Sequence, residues 1–224
     1  EQRNKAHDAA LRRAVKPGCR VLEIGAGTGI YAMMAARAGA QEVVACEANA
    51  GVAAGSAEVI AQNGLQNRVK VVPKLSSDLQ IGVDLSGPAD VLLLGNAANN
   101  LVGDGILPAL EQASRRLLHA NAKVIPAAGV VRVALAEDRE AEKNRLGIVE
   151  DFDLSSFNRL SRYGYQVKTD RDRFFLRSEP LDLFRFDFQS GGPFPEKSAS
   201  GELVSQGGRV NGIAQWLQIG RAHV

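Results

Sequence analysis

Apolar positions over the first 125 residues alternate between two spacings, one typical of buried strands and one typical of helices. Short apolar runs bounded by turn residues predict strands at 20–24, 42–47, 69–72, 91–94 and 123–126. Apolar residues at helical spacing, before and between these runs, predict helices at 6–15, 30–38, 52–62 and 107–118. Strands that alternate with helices in this way indicate an α/β fold whose parallel sheet is covered on both faces.

The pattern changes after residue 126. Runs at 130–135, 181–188 and 209–217 are rich in strand-forming residues, and the alternation with helices stops. Within the second run, Phe184, Phe186 and Phe188 fall on one face at a period of two, which predicts that they belong to a core. We therefore expect a first domain at 1–126 and a second, antiparallel domain at 127–217.

Composition and charge narrow the class of protein. With 45% apolar and 23% charged residues, the chain of 224 residues is typical of globular proteins. Its net charge of +2 predicts no nucleic-acid partner, and no apolar run reaches the roughly 18 residues that a membrane span needs. Cys19 and Cys46 form neither a disulfide scaffold nor a metal-binding spacing, so we expect free thiols, no metal site and a cytoplasmic location.

A glycine-rich loop, EIGAGTG, joins the first predicted strand to the next helix. Gly25, Gly27 and Gly29 permit a tight turn and let a ligand approach main-chain N–H groups at the N-terminus of that helix. A dinucleotide fingerprint would have its third glycine at position 30, where this chain has Ile30. The shorter spacing, with an acid two residues before the first glycine, resembles the loop with which methyltransferases bind S-adenosylmethionine. Glu23 would then hold the α-ammonium group of that ligand.

Glu47 ends the second predicted strand. In dinucleotide-binding and methyltransferase folds, a carboxylate at this place accepts hydrogen bonds from the hydroxyl groups of a ribose. The glycine loop and Glu47 together therefore predict a nucleoside-binding site at the ends of the first two strands.

These features resemble the cofactor domain of the protein arginine N-methyltransferase family. Arg3 stands just before the first helix, where that family has an arginine that binds the carboxylate of the cofactor. The run VKVVPKLSSDL resembles the segment around the adenine, with Ser76 and Ser77 in the contact positions. The run LVGDG, followed by Leu-Pro, resembles the end of the family's substrate loop.

The resemblance also covers the start of the second domain, through the runs KVIP, SEP and FRFDF. It implies a Rossmann-like domain that binds S-adenosylmethionine, followed by an antiparallel β-barrel that is incomplete in this chain. The implied activity is methyl transfer to the guanidinium of an arginine in a protein or peptide substrate. The resemblance further implies a homodimer of the full-length protein.

The predicted substrate loop departs from the family. Two glutamates of the family hold the target guanidinium there, and Gly95 and Asn100 stand in their places. A guanidinium stays protonated to about pH 12, so its methylation needs groups that hold the cation and assist proton loss. Asp104 is the nearest remaining acid in the segment, which leaves Asp104 and Asn100 as the candidate catalytic residues.

Three other functions stay open at this point. The chain could be a pseudoenzyme that binds the cofactor without transferring its methyl group, or a methyltransferase for an acceptor other than arginine. An NAD-dependent oxidoreductase is disfavoured because Ile30 interrupts the required glycine spacing.

The segment 218–224, QIGRAHV, resembles the translation of a common sequencing adapter. We therefore expect it to be an artefact of truncation and exclude it from the fold prediction.

Overall fold

The computed structural model describes residues 2–95, 105–141, 143, 145–160 and 173–219. Five strands form one sheet in the order β3-β2-β1-β4-β5, and every neighbouring pair is parallel. Their bounds are β1 Arg20–Ile24, β2 Glu42–Cys46, β3 Val69–Val72, β4 Ala89–Leu94 and β5 Leu118–Ile125. The predicted α/β fold with a parallel sheet is confirmed.

Four α-helices accompany this sheet: α1 Gln2–Ala14, α2 Ile30–Arg37, α3 Ala50–Gln62 and α4 Ile106–Arg116. The start of α3 is fixed by Asn49, whose side-chain oxygen accepts hydrogen bonds from the N–H groups of Gly51 and Val52 at 2.9 and 3.1 Å. Helix α1 begins at Gln2, four residues before the predicted start at residue 6. The prediction missed this first turn because its residues are polar and show no apolar periodicity. Among the described residues, no helix is long and apolar enough to span a membrane.

The strand order fixes where a ligand would bind. From β1 the chain moves outward to β2 and β3, and then returns to the other side of β1 with β4. Ligands of open α/β sheets bind beyond the carboxyl ends of the strands at the point where the order reverses, which here lies between β1 and β4. The loop after β1 and the residue after β4 therefore border the expected site.

The chain divides into two compact units. The first contains Glu1–Val130, Phe184–Ser198 and Leu217–Val224, and the second contains Val131–Leu183 and Ala199–Trp216. Within the first unit, Gln189 pairs with the outer strand β5: its amide donates to Ala122 O at 2.8 Å, and its oxygen accepts from Val124 N at 3.0 Å. A segment distant in sequence thus covers an edge of the sheet. The division at residue 126 stays a prediction.

The later strands are β6 Ala128–Asp138, β7 Ile148–Val149, β8 Phe152–Asp153, β9 Phe174–Leu176, β10 Leu181–Asp187 and β11 Gly212–Ile219. Strands β10, β6 and β11 lie side by side, while β9 pairs antiparallel with β6 and β7 pairs antiparallel with β8. Short 3₁₀ turns lie at Ser76–Asp78, Ser155–Leu160 and Phe188–Ser190. Closure of these strands into a barrel stays a prediction, as does the origin of segment 218–224, whose first two residues lie in β11.

Of the three phenylalanines predicted to share a core face, Phe188 is completely buried, and Phe184 and Phe186 are partly buried. The ring of Phe186 lies 6.3 Å from each of the other two. All three belong to the first unit, because Phe184–Ser198 returns to it.

Candidate functional site

The glycine loop is held to the end of β2 by main-chain hydrogen bonds. The N–H groups of Gly25 and Ala26 both donate to the carbonyl oxygen of Cys46, at 2.9 and 3.1 Å. Gly25, Gly27 and Gly29 have φ angles of 82°, 53° and 75°, which residues with a side chain rarely adopt. At Gly29 the space is also missing, since a Cβ there would lie 2.8 Å from the hydroxyl of Ser56. Backbone conformation therefore favours glycine at all three positions, and packing favours it further at Gly29.

Glu47 follows β2 and lies at the mouth of this loop. Its Oε2 accepts a hydrogen bond from the N–H of Gly27 at 3.2 Å, and its Oε1 accepts one from the N–H of Asn49 at 3.1 Å. The N–H of Glu47 itself donates to Val72 O at 3.0 Å, which ties the residue to β3. The structure thus brings together the loop and the carboxylate that sequence analysis assigned to one nucleoside site.

Glu23, the last residue but one of β1, is completely buried. Neither of its carboxyl oxygens has a hydrogen-bond partner among the described residues. Burial raises the pKa of Glu23 to about 8; the main-chain N–H of Ala32, which faces the carboxyl group, offsets part of this shift, and the negative charge of Glu47 adds to it. An unpaired buried carboxyl group is costly, and a bound cation or a proton would relieve that cost.

Arg3 lies in the first turn of α1. Its Nη2 donates to the carbonyl oxygen of Gly95 at 3.4 Å, and its guanidinium carbon lies 6.0 Å from the ring centre of Tyr31. Gly95 directly follows β4 and Tyr31 lies in the first turn of α2, so Arg3 lies at the carboxyl end of the sheet, near the residues that border the switch point.

Ser76 and Ser77 lie in the 3₁₀ turn that follows β3. The hydroxyl of Ser77 donates to the carboxylate of Asp78 at 3.0 Å, and the carbonyl oxygen of Ser77 accepts from Arg116 at 2.9 Å. Both serines are partly buried. Their position beyond β3 is the one expected for the adenine segment, and their role stays a prediction.

Asn100 and Asp104, the two candidate catalytic residues, lie outside the described residues. Tyr31 and His7 also lie at the carboxyl end of the sheet, and the sequence does not predict them because they belong to no motif and have the spacing of ordinary helix residues. Among the residues that the structure describes, no group of three or more His, Cys, Asp or Glu side chains is placed to hold a metal ion.

Similar proteins show which family the chain belongs to. The family model described as ribosomal protein L11 methyltransferase (PrmA) matches residues 9–150, more than half of the chain. The arginine N(omega)-methyltransferase of Streptomyces achromogenes subsp. streptozoticus is 32% identical over 97% of this chain and 61% of its own. The protein arginine N-methyltransferase 7 of Oryza sativa subsp. indica is 33% identical over 96% of this chain and 33% of its own.

The chain belongs to the methyltransferase family of this model, and the curated relatives to which it is similar are arginine N-methyltransferases. It spans 61% of the length of the Streptomyces relative and 33% of the rice relative.

Solved structures of arginine N-methyltransferases share the fold. The Trypanosoma brucei PRMT1 enzyme-prozyme heterotetrameric complex with AdoHcy aligns with a TM-score of 0.68 at 22% identity, over 84% of this chain and 59% of that chain. Arabidopsis thaliana protein arginine methyltransferase 10 aligns with a TM-score of 0.63 at 17% identity, over 84% of this chain and 59% of that chain.

Gly95 stands where the arginine N-methyltransferase resemblance expects the first loop glutamate. Its N–H donates to the carbonyl oxygen of Ile24 at 3.0 Å, which joins the end of β4 to the end of β1. A Cβ at this position would overlap the carbonyl oxygen of Gly25 and lie 2.8 Å from Glu23 Oε1. The backbone here is packed so closely that no side chain fits unless the glycine loop shifts.

We expect Gly95→Ala to lower the free energy of unfolding by about 1–3 kcal/mol, because overpacking at a rigid backbone contact forces neighbouring groups to move. Gly55→Ala is the matched control, since Gly55 is exposed on α3 and has open space around it. Alanine should stabilise that helix by about 0.5–1 kcal/mol. Denaturant unfolding measures both variants, and equal stability of the two would contradict the packing described for Gly95.

Proposed function

We propose that the protein is an S-adenosylmethionine-dependent methyltransferase that acts on the guanidinium of an arginine in a protein or peptide substrate. The observation that carries the proposal is the contact of Glu47 with Gly27, which places a carboxylate at the mouth of the glycine loop. Similarity to curated arginine N-methyltransferases supports the reaction, and the AdoHcy named in the Trypanosoma brucei structure supports the cofactor.

The described residues fit such a cofactor. Glu47 would accept hydrogen bonds from the ribose hydroxyls, Arg3 would bind the carboxylate, and Ser76 and Ser77 would contact the adenine. The unpaired carboxyl group of Glu23 fits the α-ammonium group, which would supply the charge and the donors that its two oxygens lack. When bound, S-adenosylmethionine supplies an electrophilic methyl group on a sulfonium.

The remaining task of the chain is to orient the acceptor nitrogen toward that methyl group, and orientation is the main source of rate in such a transfer. Gly95 contributes no side chain to this task. We propose that Asp104 holds the guanidinium cation and assists the loss of its proton, and that Asn100 accepts a hydrogen bond from it. With one carboxylate in place of two, the acceptor is held by fewer charge-assisted hydrogen bonds.

We further propose a cytoplasmic location and a homodimer of the full-length protein. The thiols of Cys19 and Cys46 are both free, which supports a reducing compartment. A heterotetrameric assembly is named for the Trypanosoma brucei structure, which supports assembly in this family.

The direct test of the proposed reaction is a transfer assay with S-adenosylmethionine carrying a labelled methyl group and an arginine-containing peptide as acceptor. We expect labelled peptide, with the label on the guanidinium by mass spectrometry, and none on the same peptide with lysine in place of arginine. Cofactor binding without any transfer would identify a pseudoenzyme instead. Transfer to the lysine peptide alone would identify a different acceptor class.

We expect Glu47→Ala to weaken the binding of S-adenosylhomocysteine at least tenfold, measured by isothermal titration calorimetry. Each charge-assisted hydrogen bond to a ribose hydroxyl is worth about 1.5–3 kcal/mol, and about 1.4 kcal/mol corresponds to a factor of ten. Glu58→Ala is the matched control, because Glu58 is exposed on α3. An unchanged affinity of Glu47→Ala would remove the ribose role.

Binding of S-adenosylhomocysteine should depend on pH through Glu23. With its pKa raised to about 8, Glu23 is mostly protonated at pH 6 and pH 7, and only the ionised form pairs with an ammonium group. The affinity should therefore rise close to tenfold per pH unit from pH 6 to pH 7, in proportion to the ionised fraction. Calorimetry in two buffers of different ionisation enthalpy should show the release of about one proton on binding at pH 7.

Glu23→Gln is the control for this pH dependence, because the amide has no charge to lose. The same variant also tests the role of Glu23 in the stability of the free protein. Because the pKa of Glu23 is raised in the folded state, the protonated side chain contributes stability that is fully present below the unfolded pKa of 4.5. This contribution is lost as the pH rises through about 8. The free energy of unfolding of the wild type should fall over this range relative to Glu23→Gln. Parallel pH profiles of the two proteins would contradict the assignment.

A further inference from the structure

Four side chains join the first turn of α1 to the first turn of α2, and we call them the Tyr31 cluster: Arg3, Asn4, His7 and Tyr31. The rings of His7 and Tyr31 are stacked, with their centroids 4.3 Å apart and their planes 13° apart. The guanidinium of Arg3 lies 6.0 Å from the centre of the same tyrosine ring. The hydroxyl of Tyr31 donates to the side-chain oxygen of Asn4 at 3.2 Å.

The state of His7 follows from its contacts. Its Nδ1 lies 2.9 Å from the carbonyl oxygen of Arg3, which can only accept, so Nδ1 carries the proton. The other nitrogen, Nε2, is buried and has no hydrogen-bond partner among the described residues. Burial lowers the pKa of His7, the hydrogen bond with the carbonyl oxygen of Arg3 opposes this shift, and the positive charge of Arg3 adds to it.

This arrangement of His7 lowers the stability of the folded protein. A buried, unsatisfied ring nitrogen costs about 1–3 kcal/mol, and a leucine at position 7 would pack on Tyr31 without that cost. A histidine differs from leucine in that its Nδ1–H group also donates to the main chain of Arg3, the residue whose side chain lies against Tyr31. The cluster therefore fixes both the backbone and the side chain of Arg3.

Tyr31 connects this helix turn with the glycine loop. It lies two residues after Gly29, and 92% of its surface is buried. Arg3 also donates to Gly95 O at the end of β4. The guanidinium is thus located by an element on each side of the site, the α2 turn and the β4 end.

We propose that Tyr31 and His7 are positioning residues that hold the Arg3 guanidinium where it binds the carboxylate of the cofactor. This inference rests on the proposed function, since it takes Arg3 as a ligand of that carboxylate. The tyrosine ring supplies an aromatic face for the cation, and the stacked histidine restricts the rotation of that ring. Neither residue contacts the cofactor in this account.

The test compares two ligands, S-adenosylmethionine and decarboxylated S-adenosylmethionine, which lacks only the carboxylate. Tyr31→Leu removes the aromatic face, and we expect it to weaken the binding of S-adenosylmethionine about fivefold. Binding of the decarboxylated ligand should change by less than about twofold, because Arg3 makes no bond to it. Tyr31→Phe keeps the ring and should restore the affinity for S-adenosylmethionine to within about twofold of the wild type.

Arg3→Ala measures the whole contribution of the guanidinium, and the double variant Arg3→Ala/Tyr31→Leu should bind S-adenosylmethionine no more weakly than Arg3→Ala alone. His7→Leu is a second route to the same result, should Tyr31→Leu lower the unfolding temperature too far for binding to be measured. We expect His7→Leu, like Tyr31→Leu, to weaken the binding of S-adenosylmethionine more than the binding of the decarboxylated ligand.

Two results would overturn the inference: an equal loss of affinity for both ligands, which marks a structural role, or no loss for either ligand. If the wild type binds S-adenosylmethionine and Arg3→Ala binds it equally well, the proposal also fails, since Arg3 then has no role to be positioned for. Absence of binding to the wild type would instead contradict the proposed function, and the inference with it.

Discussion

The site depends on the two hydrogen bonds that the carbonyl oxygen of Cys46 accepts from Gly25 and Ala26. They join the glycine loop after β1 to the end of β2, and the next residue, Glu47, therefore lies at the mouth of that loop. Strands β1 and β2 are parallel, and Ile24 lies opposite Cys46. Because parallel strands end at the same edge of a sheet, the loop after β1 and the residue after β2 are neighbours. The register between β1 and β2 therefore brings the glycine loop and Glu47 together.

Close packing of the main chain also explains why position 95 has no side chain. Gly95 is joined to the end of β1 by its N–H group and has no space for a side chain. The surrounding backbone leaves no space for a glutamate at this position, and the contacts proposed for a cationic acceptor are therefore assigned to Asn100 and Asp104. Glu23 is buried and has no hydrogen-bond partner for its carboxyl oxygens among the described residues, and it is the residue proposed to hold the α-ammonium group of the cofactor.

The parallel sheet, the glycine loop and the position of Glu47 could be predicted from the sequence, because each depends on local pattern and on the direction of strands. The packing at Gly95 could not, since it arises from residues about 70 positions apart in the chain. The return of Phe184–Ser198 to the first unit could not be predicted for the same reason. Tyr31 and His7 belong to no sequence motif and lie in different helices. Only the contact between their rings shows that they form one cluster.

The most direct test of this account is a crystal structure of the protein with S-adenosylhomocysteine. The account predicts both ribose hydroxyls about 2.6–3.2 Å from the carboxylate oxygens of Glu47, with the rest of the ligand extending over the main chain of Gly25 to Gly29. A nucleoside bound elsewhere, or a bound ligand with Glu47 turned away from its ribose, would contradict it.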